Sequence, residues 1–328
     1  MYPGIHARTR ADQPCIIMAS TGRTLTYGEF DALANRLAHL FRSEGLVRGD
    51  HVSILMENNE WYLPACSAAE RSGLYFTPVN SHLTPEEVGY ILDNSLSRVL
   101  ITSRAQHAVA LEAMRHAPKV QRCVVAEDFG SDLAGLPSTP IADESTGAPM
   151  LYSSGTTGRP KGILKPLSKK APADATSKFL LQLWSYREGQ VYLSPAPLYH
   201  SAPQGACGMT IRLGGTVVIM DRFDPEQFLV LIERYRVTHT QVVPTMFSRL
   251  LKLPDDVRLK YDLSSLELVI HAAAPCPVPV KEQMIDWLGP IIREYYGATE
   301  GLGFAACDST EWSAHKGTVG KVLLAKVV

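Results

Sequence analysis

The chain has 328 residues, 45% of them hydrophobic, with 32 basic against 33 acidic side chains. That is enough to bury a substantial core in one large or two ordinary domains, and the balanced charge offers no basic face for nucleic acid. Apolar runs fall short of the roughly 20 residues of a membrane span, the segment Met1 to Arg8 lacks a signal core, and six cysteines without Cys-x-x-Cys spacing fit a reducing, cytoplasmic setting.

Along the chain, Thr26-Tyr27-Gly28-Glu29 forms a capping box, and Phe30, Leu33, Ala34, Leu37, Leu40 and Phe41 then recur at helical spacing until Gly45. A strand over 51–56 and a helix over 61–71 follow. Thr84-Pro85-Glu86-Glu87 is a second capping box with proline at the first helical position. Strands over 99–102 and 123–126 flank another helix, and 127–149, rich in Asp, Ser, Gly and Pro, reads as a surface linker. Beyond it the spacing predicts strands over 216–220, 239–243, 266–271 and 291–296. Helices begin at Asp224-Pro225-Glu226-Gln227 and run over 245–252. Strands alternating with helices imply an α/β fold with a largely parallel sheet covered on both faces. The division falls into a first αβ lobe, 1–170, and a second, 171–328.

Four segments carry candidate chemistry. Tyr152-Ser153-Ser154-Gly155-Thr156-Thr157-Gly158-Arg159-Pro160-Lys161-Gly162 combines glycines that let backbone approach an anion, short hydroxyl donors and consecutive amides able to form a nest. It misses the Walker A spacing, because Pro160 precedes the lysine and Gly162 follows it. By composition alone a flexible linker fits such a run equally well. Tyr295-Tyr296-Gly297-Ala298-Thr299-Glu300-Gly301 offers an aromatic face, a close-approach glycine, a hydroxyl and a carboxylate. His271-Ala272-Ala273-Ala274-Pro275 offers smallness, and Ala196-Pro197-Leu198-Tyr199-His200-Ser201-Ala202-Pro203-Gln204-Gly205 an aromatic–histidine pair before a small apolar run. The strands over 266–271 and 291–296 each lead into a motif, where ligands of open α/β sheets bind.

In this order the motifs resemble those of the adenylate-forming (AMP-binding) superfamily, which comprises acyl- and aryl-CoA synthetases, luciferases and the adenylation domains of peptide synthetases. The similarity covers essentially the whole chain and is greatest to the N-terminal part of a fatty-acyl-CoA synthetase. It implies that family's N-terminal fold, two packed αβ sheet lobes in an αβαβα layering, and ATP, Mg²⁺ and coenzyme A as cofactor and substrates. By resemblance, Ser153, Ser154, Gly155, Thr156, Thr157 and Gly158 wrap the β- and γ-phosphates with Lys161 beside them. Ala273, Ala274, Pro275, Tyr295, Tyr296, Gly297 and Ala298 surround the nucleotide, Tyr296 against adenine. Thr299 bonds the α-phosphate, and Glu300, with Thr156, holds the metal. Tyr199, His200, Gly205, Ala272 and Ala298 line the acid. Lys161, His200, Thr299 and Glu300 form the expected catalytic set.

The resemblance implies activation of a carboxylic acid to acyl-adenylate and then acyl-CoA. Amino-acid-activating members commonly carry aspartate where His200 stands, which disfavours an amino acid substrate. A medium- or long-chain fatty acid is the preferred substrate and an aryl or steroid side-chain acid the alternative. Peripheral membrane contact through such a substrate is compatible with the sequence, and oligomeric state is not readable from it. Residues 318–328 resemble the entry to the family's β-barrel subdomain, so a missing C-terminal domain is expected, with weak adenylation and almost no thioester formation by this chain. Against this stands a short nucleotide- or acyl-binding module without catalysis. A hydrolase or kinase would need a base or phosphoacceptor arrangement that the sequence lacks.

Overall fold

The computed structural model describes residues 3–153, 159–167, 179, 181–298 and 303–324. Contacts group the chain into two units that interleave in sequence: 1–16, 24–179 and Pro197–Gly208 in the first, and Ile17–Arg23, Leu180–Ala196 and 209–328 in the second. The lobe boundary expected at 170/171 lies outside the described residues. No helix among the described residues is long and apolar enough to cross a membrane.

After the helix Pro3–Thr9 come β1 (Pro14–Met18) and β2 (Thr24–Thr26). The first unit is then built on β3 (His51–Leu55), β4 (Tyr75–Val79), β5 (Ser97–Thr102), β6 (Arg122–Val125) and β7 (Ala148–Pro149), ordered β6-β5-β3-β4-β7. Every pairing in this sheet is parallel. Parallel strands are covered on both faces and so need near-continuous apolar runs, which is why all five residues of β4 and the last four of β3 are buried. Helices Pro85–Asn94 and His107–Met114 pack Val88, Ile91, Leu92, Ala110 and Ala113 onto Leu55, Val79 and Leu100.

Both expected capping boxes form. The Thr26 and Thr84 hydroxyls accept from Glu29 and Glu87 backbone N–H, and those carboxylates accept back from the threonine N–H at 2.8 Å. Helix Tyr27–Ser43 is locked to helix Tyr62–Arg71 through the buried Arg71, which donates to Asp31 at 2.8 Å and to the Asn35 amide oxygen. The 127–149 stretch is not a free-running linker. It begins with the short helix Phe129–Asp132, and Asn35 and Arg42 tie Ser138 and Asp143 down at 2.8 and 3.1 Å. It ends as β7 beside β4. Then β8 (Leu151–Ser153) and β9 (Lys161–Ile163) form an antiparallel hairpin.

The second unit holds β10 (Val191–Ser194), β11 (Thr216–Ile219), β12 (His239–Val242), β13 (Leu268–His271), β14 (Ile292–Gly297), β15 (Phe304–Cys307) and β16 (Lys321–Leu324). They run in the order β16-β15-β14-β13-β12-β10-β11. The first five, through β14, pair in parallel, and β15 and β16 add an antiparallel edge. Strand alternation divides the packing between two faces. Val269 and Ile292 join Phe228, Ile232, Phe247 and Met284 from the helices Pro225–Tyr235, Pro244–Leu251 and Val278–Leu288. Leu268 and Ile270 instead meet Trp184 and Ala306.

Candidate functional site

In the first unit, the base of the Tyr152 to Gly162 motif is the β8–β9 hairpin, which sets Tyr152 opposite Gly162 and Ser153 opposite Lys161. A Cβ on Gly162 would stand 2.5 Å from Met150 Cε and 3.1 Å from Tyr152 Cζ, so a larger residue would have to displace the methionine's terminal methyl and press on the Tyr152 ring. Two phenols fix this base. Tyr152 donates to Asn94 Oδ1 at 2.6 Å, and Tyr90 donates to the Pro160 carbonyl at 3.2 Å while the Arg159 guanidinium lies 5.1 Å over the Tyr90 ring. Burial raises the Tyr152 pKa above its ordinary value, so the phenol stays a donor well into the alkaline range. Lys161 is exposed beside Ser153. Ser154, Gly155, Thr156, Thr157 and Gly158 lie outside the described residues.

Tyr199, His200 and Gly205 also group with the first unit. Leu198, fully buried, donates its N–H to Asn58 Oδ1 at 2.8 Å, which anchors the turn. Tyr199 lies against His200 with ring centroids 4.4 Å apart and meets His82 edge-on at 6.5 Å. The helix Ser201–Arg212 follows at once. By area His200 is exposed, yet protein flanks its ring closely enough that burial lowers its pKa below 6.5. Its open edge admits water, which limits the extent of the shift, but the direction makes it a neutral imidazole at pH 7. Gly205 has open space where a Cβ would stand, so packing does not impose glycine there.

In the second unit, β13 and β14 deliver two candidate segments from one parallel pair, with His271 opposite Glu294. Ala272 is buried, whereas Ala273, Ala274 and Pro275 are exposed. Ala273 takes φ +77°, a left-handed backbone that a residue with a Cβ adopts only under constraint. The two tyrosines of β14 part ways. Tyr295 accepts from Gln241 Nε2 at 2.9 Å, stacks on Phe304 at 5.2 Å and meets Trp184 at 5.5 Å. Tyr296 is 68% exposed. Gly297 runs beside the Phe304 ring, which a Cβ would approach to 3.2 Å, and Ala298 is exposed. Thr299 and Glu300 lie outside the described residues.

A buried polar cluster behind these segments carried no signal in the sequence. Lys281 Nζ is 2.5 Å from Glu294 Oε2, and His271 Nε2 is 3.5 Å from the same oxygen. Nothing in the Val-Lys-Glu run around Lys281 distinguishes a buried lysine from a solvated one.

Each unit by itself offers groups of the kind a magnesium nucleotide needs: the first a lysine beside a hydroxyl, the second an open aromatic face with small neighbours that let a ligand approach. Among the described residues no three or more His, Cys, Asp or Glu side chains gather to hold a metal ion, and Mg²⁺ held by one carboxylate and substrate phosphates needs no such cage.

A profile of the AMP-binding enzyme family matches residues 5–328. The chain is 31% identical over 307 residues to 4-coumarate–CoA ligase 5 of Oryza sativa, covering 89% of this chain and 55% of that protein. It is also 31% identical over 314 residues to the fatty acid–[acyl-carrier-protein] ligase ScoC of Streptomyces coeruleorubidus, covering 92% and 58%. It thus spans little more than half the length of these relatives. The inhibitor-bound N-terminal domain of FACL13 from Mycobacterium tuberculosis superposes with a TM-score of 0.86 at 24% identity, over 98% of this chain and 81% of that one. This likeness establishes the fold as that of such an N-terminal domain.

Proposed function

The chain belongs to the AMP-binding enzyme family, and from that membership we propose that it serves the ATP-dependent activation of a carboxylic acid, first to an acyl-adenylate and then to an acyl-CoA. The observation that carries the proposal is the divergence at the end of β14, where Tyr295 is committed to packing and Tyr296 presents an open ring beside Gly297 and Ala298. An aromatic face with small neighbours suits a flat, polar base such as adenine.

In the first step a carboxylate oxygen attacks the α-phosphorus, the new O–P bond forms, and the bond to the β-phosphate oxygen breaks to release pyrophosphate. Both reactants are anions, so the protein's work is to hold them in line and offset their charge. Lys161 and the hydroxyls of its loop suit the leaving phosphates, and Thr299 suits the α-phosphate. Glu300, with Thr156, would hold Mg²⁺, whose charge when bound offsets that of the phosphates. The neutral His200 imidazole orients the acid by hydrogen bonding and supplies no counter-charge. In the second step the thiol of coenzyme A attacks the acyl carbon and AMP leaves.

A medium- or long-chain fatty acid is the substrate class we favour, acting in the cytoplasm, with an aryl or steroid side-chain acid as the alternative. The named relatives include ligases of both a fatty acid and 4-coumarate, so chain length is for experiment to decide. The test is ATP–pyrophosphate exchange over a panel of fatty, cinnamic and steroid side-chain acids, with direct titration of Mg-ATP. Saturable nucleotide binding and exchange highest with fatty acids are expected. Dominance by cinnamic acids would shift the substrate class, and absence of both binding and exchange would overturn the proposal.

A further inference from the structure

The 272–277 segment begins after His271, the last residue of β13, and leads into the helix that carries Lys281. Both flanking side chains are fully buried; Lys281 Nζ is ion-paired with Glu294 Oε2 at 2.5 Å, while the His271 ring lies 3.5 Å from the same oxygen without a hydrogen bond to it. Glu294 is itself the register partner of His271 and precedes Tyr295 and Tyr296 on β14. The ammonium of Lys281 also lies 4.7 Å from the centroid of the buried Trp312 ring, and Phe247 meets the His271 ring at 5.3 Å. Burial, reinforced by the charge of Lys281, pushes the His271 pKa down to about 3, so the cluster is one ion pair with a neutral imidazole beside it.

Buried ion pairs are poor stabilisers, because desolvation consumes much of the attraction and apolar isosteres often serve as well. Geometry gives this pair a different use. The segment it brackets contains Ala273 in a left-handed conformation and the rigid Pro275 and Pro277. Such a conformation persists only where its surroundings over-determine it.

We propose that Glu294 is a positioning residue, whose carboxylate holds the helix that ends the 272–277 loop through Lys281 while its backbone pairs with His271 at the loop's start, fixing that loop against the tip of β14. The inference rests on the nucleotide-binding reading of Tyr296 and Ala273, and assigns to buried residues the accuracy with which those groups meet the base. Displacements of about 1 Å at such a site can cost as much as a hundredfold in function.

The experiment compares the wild-type chain with two variants. Lys281→Met/Glu294→Leu removes both charges together, and Glu294→Asp keeps the ion pair but withdraws the oxygen by one methylene. Each is followed by thermal melting, by amide hydrogen exchange and by titration with Mg-ATP. Expected for the double variant are a melting temperature within about 3 °C of wild type, faster exchange confined to 272–277 and 294–298, and a Kd raised about tenfold. Glu294→Asp should shift the same amides and Kd in the same direction by less. Unchanged local exchange and Kd in Glu294→Asp, or a uniform rise in exchange across the second unit, would overturn the positioning role. If wild type binds no nucleotide, the functional reading fails by itself, and the exchange pattern still decides whether Glu294 clamps the loop.

Discussion

Tyr295 and Tyr296 are adjacent and chemically identical, yet the structure gives them opposite fates, and substitution should separate them. Tyr296→Ala removes an exposed ring and should change stability by no more than about 0.5 kcal/mol, while raising the Kd for Mg-ATP. Tyr295→Ala opens a hole between Phe304 and Trp184 and should cost about 3 kcal/mol; urea denaturation of both variants measures the difference. Equal destabilisation would contradict the packing described. Ala273→Gly should relieve the left-handed backbone and raise stability by roughly 1 kcal/mol, read from the same denaturation curves. At this scale the sequence was partly legible. Strand alternation places the tyrosines on opposite faces, but which face is covered depends on Phe304 and Trp184, whose approach no local pattern announces. Lys161 stood out by its Ser-, Thr- and Gly-rich neighbours, whereas Lys281 did not, because its burial is conferred by Glu294 and Trp312 from elsewhere in the chain.

Helices written with their own start signals were readable, and those signals should carry measurable weight. Thr26→Ala and Thr84→Ala each remove a hydroxyl acceptor and break a reciprocal box, so each should lower stability by about 1 kcal/mol, with Ser at either position restoring most of it in thermal melts. The helix Val278–Leu288 carries no such start signal: Pro277 stands at its N-cap without a side-chain hydrogen bond, and Pro279 in its first turn is compatible with a helix but does not announce one. The helix Ser309–Ala314, capped by Asp308 through the Glu311 N–H, is only 6 residues long and shows little periodicity. Among the strands, β3, β5, β6, β11, β12, β13 and β14 announced themselves, whereas β4, interrupted by Pro78, and the four-residue β10 did not. Phe-Ala-Ala-Cys of β15 did not, since alanine has low strand propensity and antiparallel pairing with β14 supplies what propensity lacks. The 127–149 stretch has the composition of a loop, and its attachment depends on partners such as Asn35 and Arg42, about a hundred residues earlier.

Taken as a whole molecule, the α/β alternation was legible in outline, but the interleaving of the units was not, because Pro197–Gly208 joins the first through tertiary contacts such as Leu198 to Asn58. The charge state has a whole-molecule consequence as well. Burial lowers the pKa of His51, His239 and His271, the last from 6.5 to about 3. Below pH 6.5 the unfolded chain therefore binds more protons than the folded one, and stability falls as pH drops toward 3. His271 alone should remove about 2 kcal/mol by pH 5. Urea midpoints at pH 7.5 and 5 should show that loss in wild type and a smaller one in His271→Gln; equal losses would place the acid sensitivity elsewhere. The β8–β9 hairpin has a consequence of another kind. Tyr90 and Asn94 hold it from 70 and 58 positions upstream of their partners. Evolutionary drift in the helix Pro85–Asn94 is therefore coupled to the hairpin's geometry, and a survey of tolerated substitutions should mark the Tyr90 and Asn94 face of that helix as intolerant.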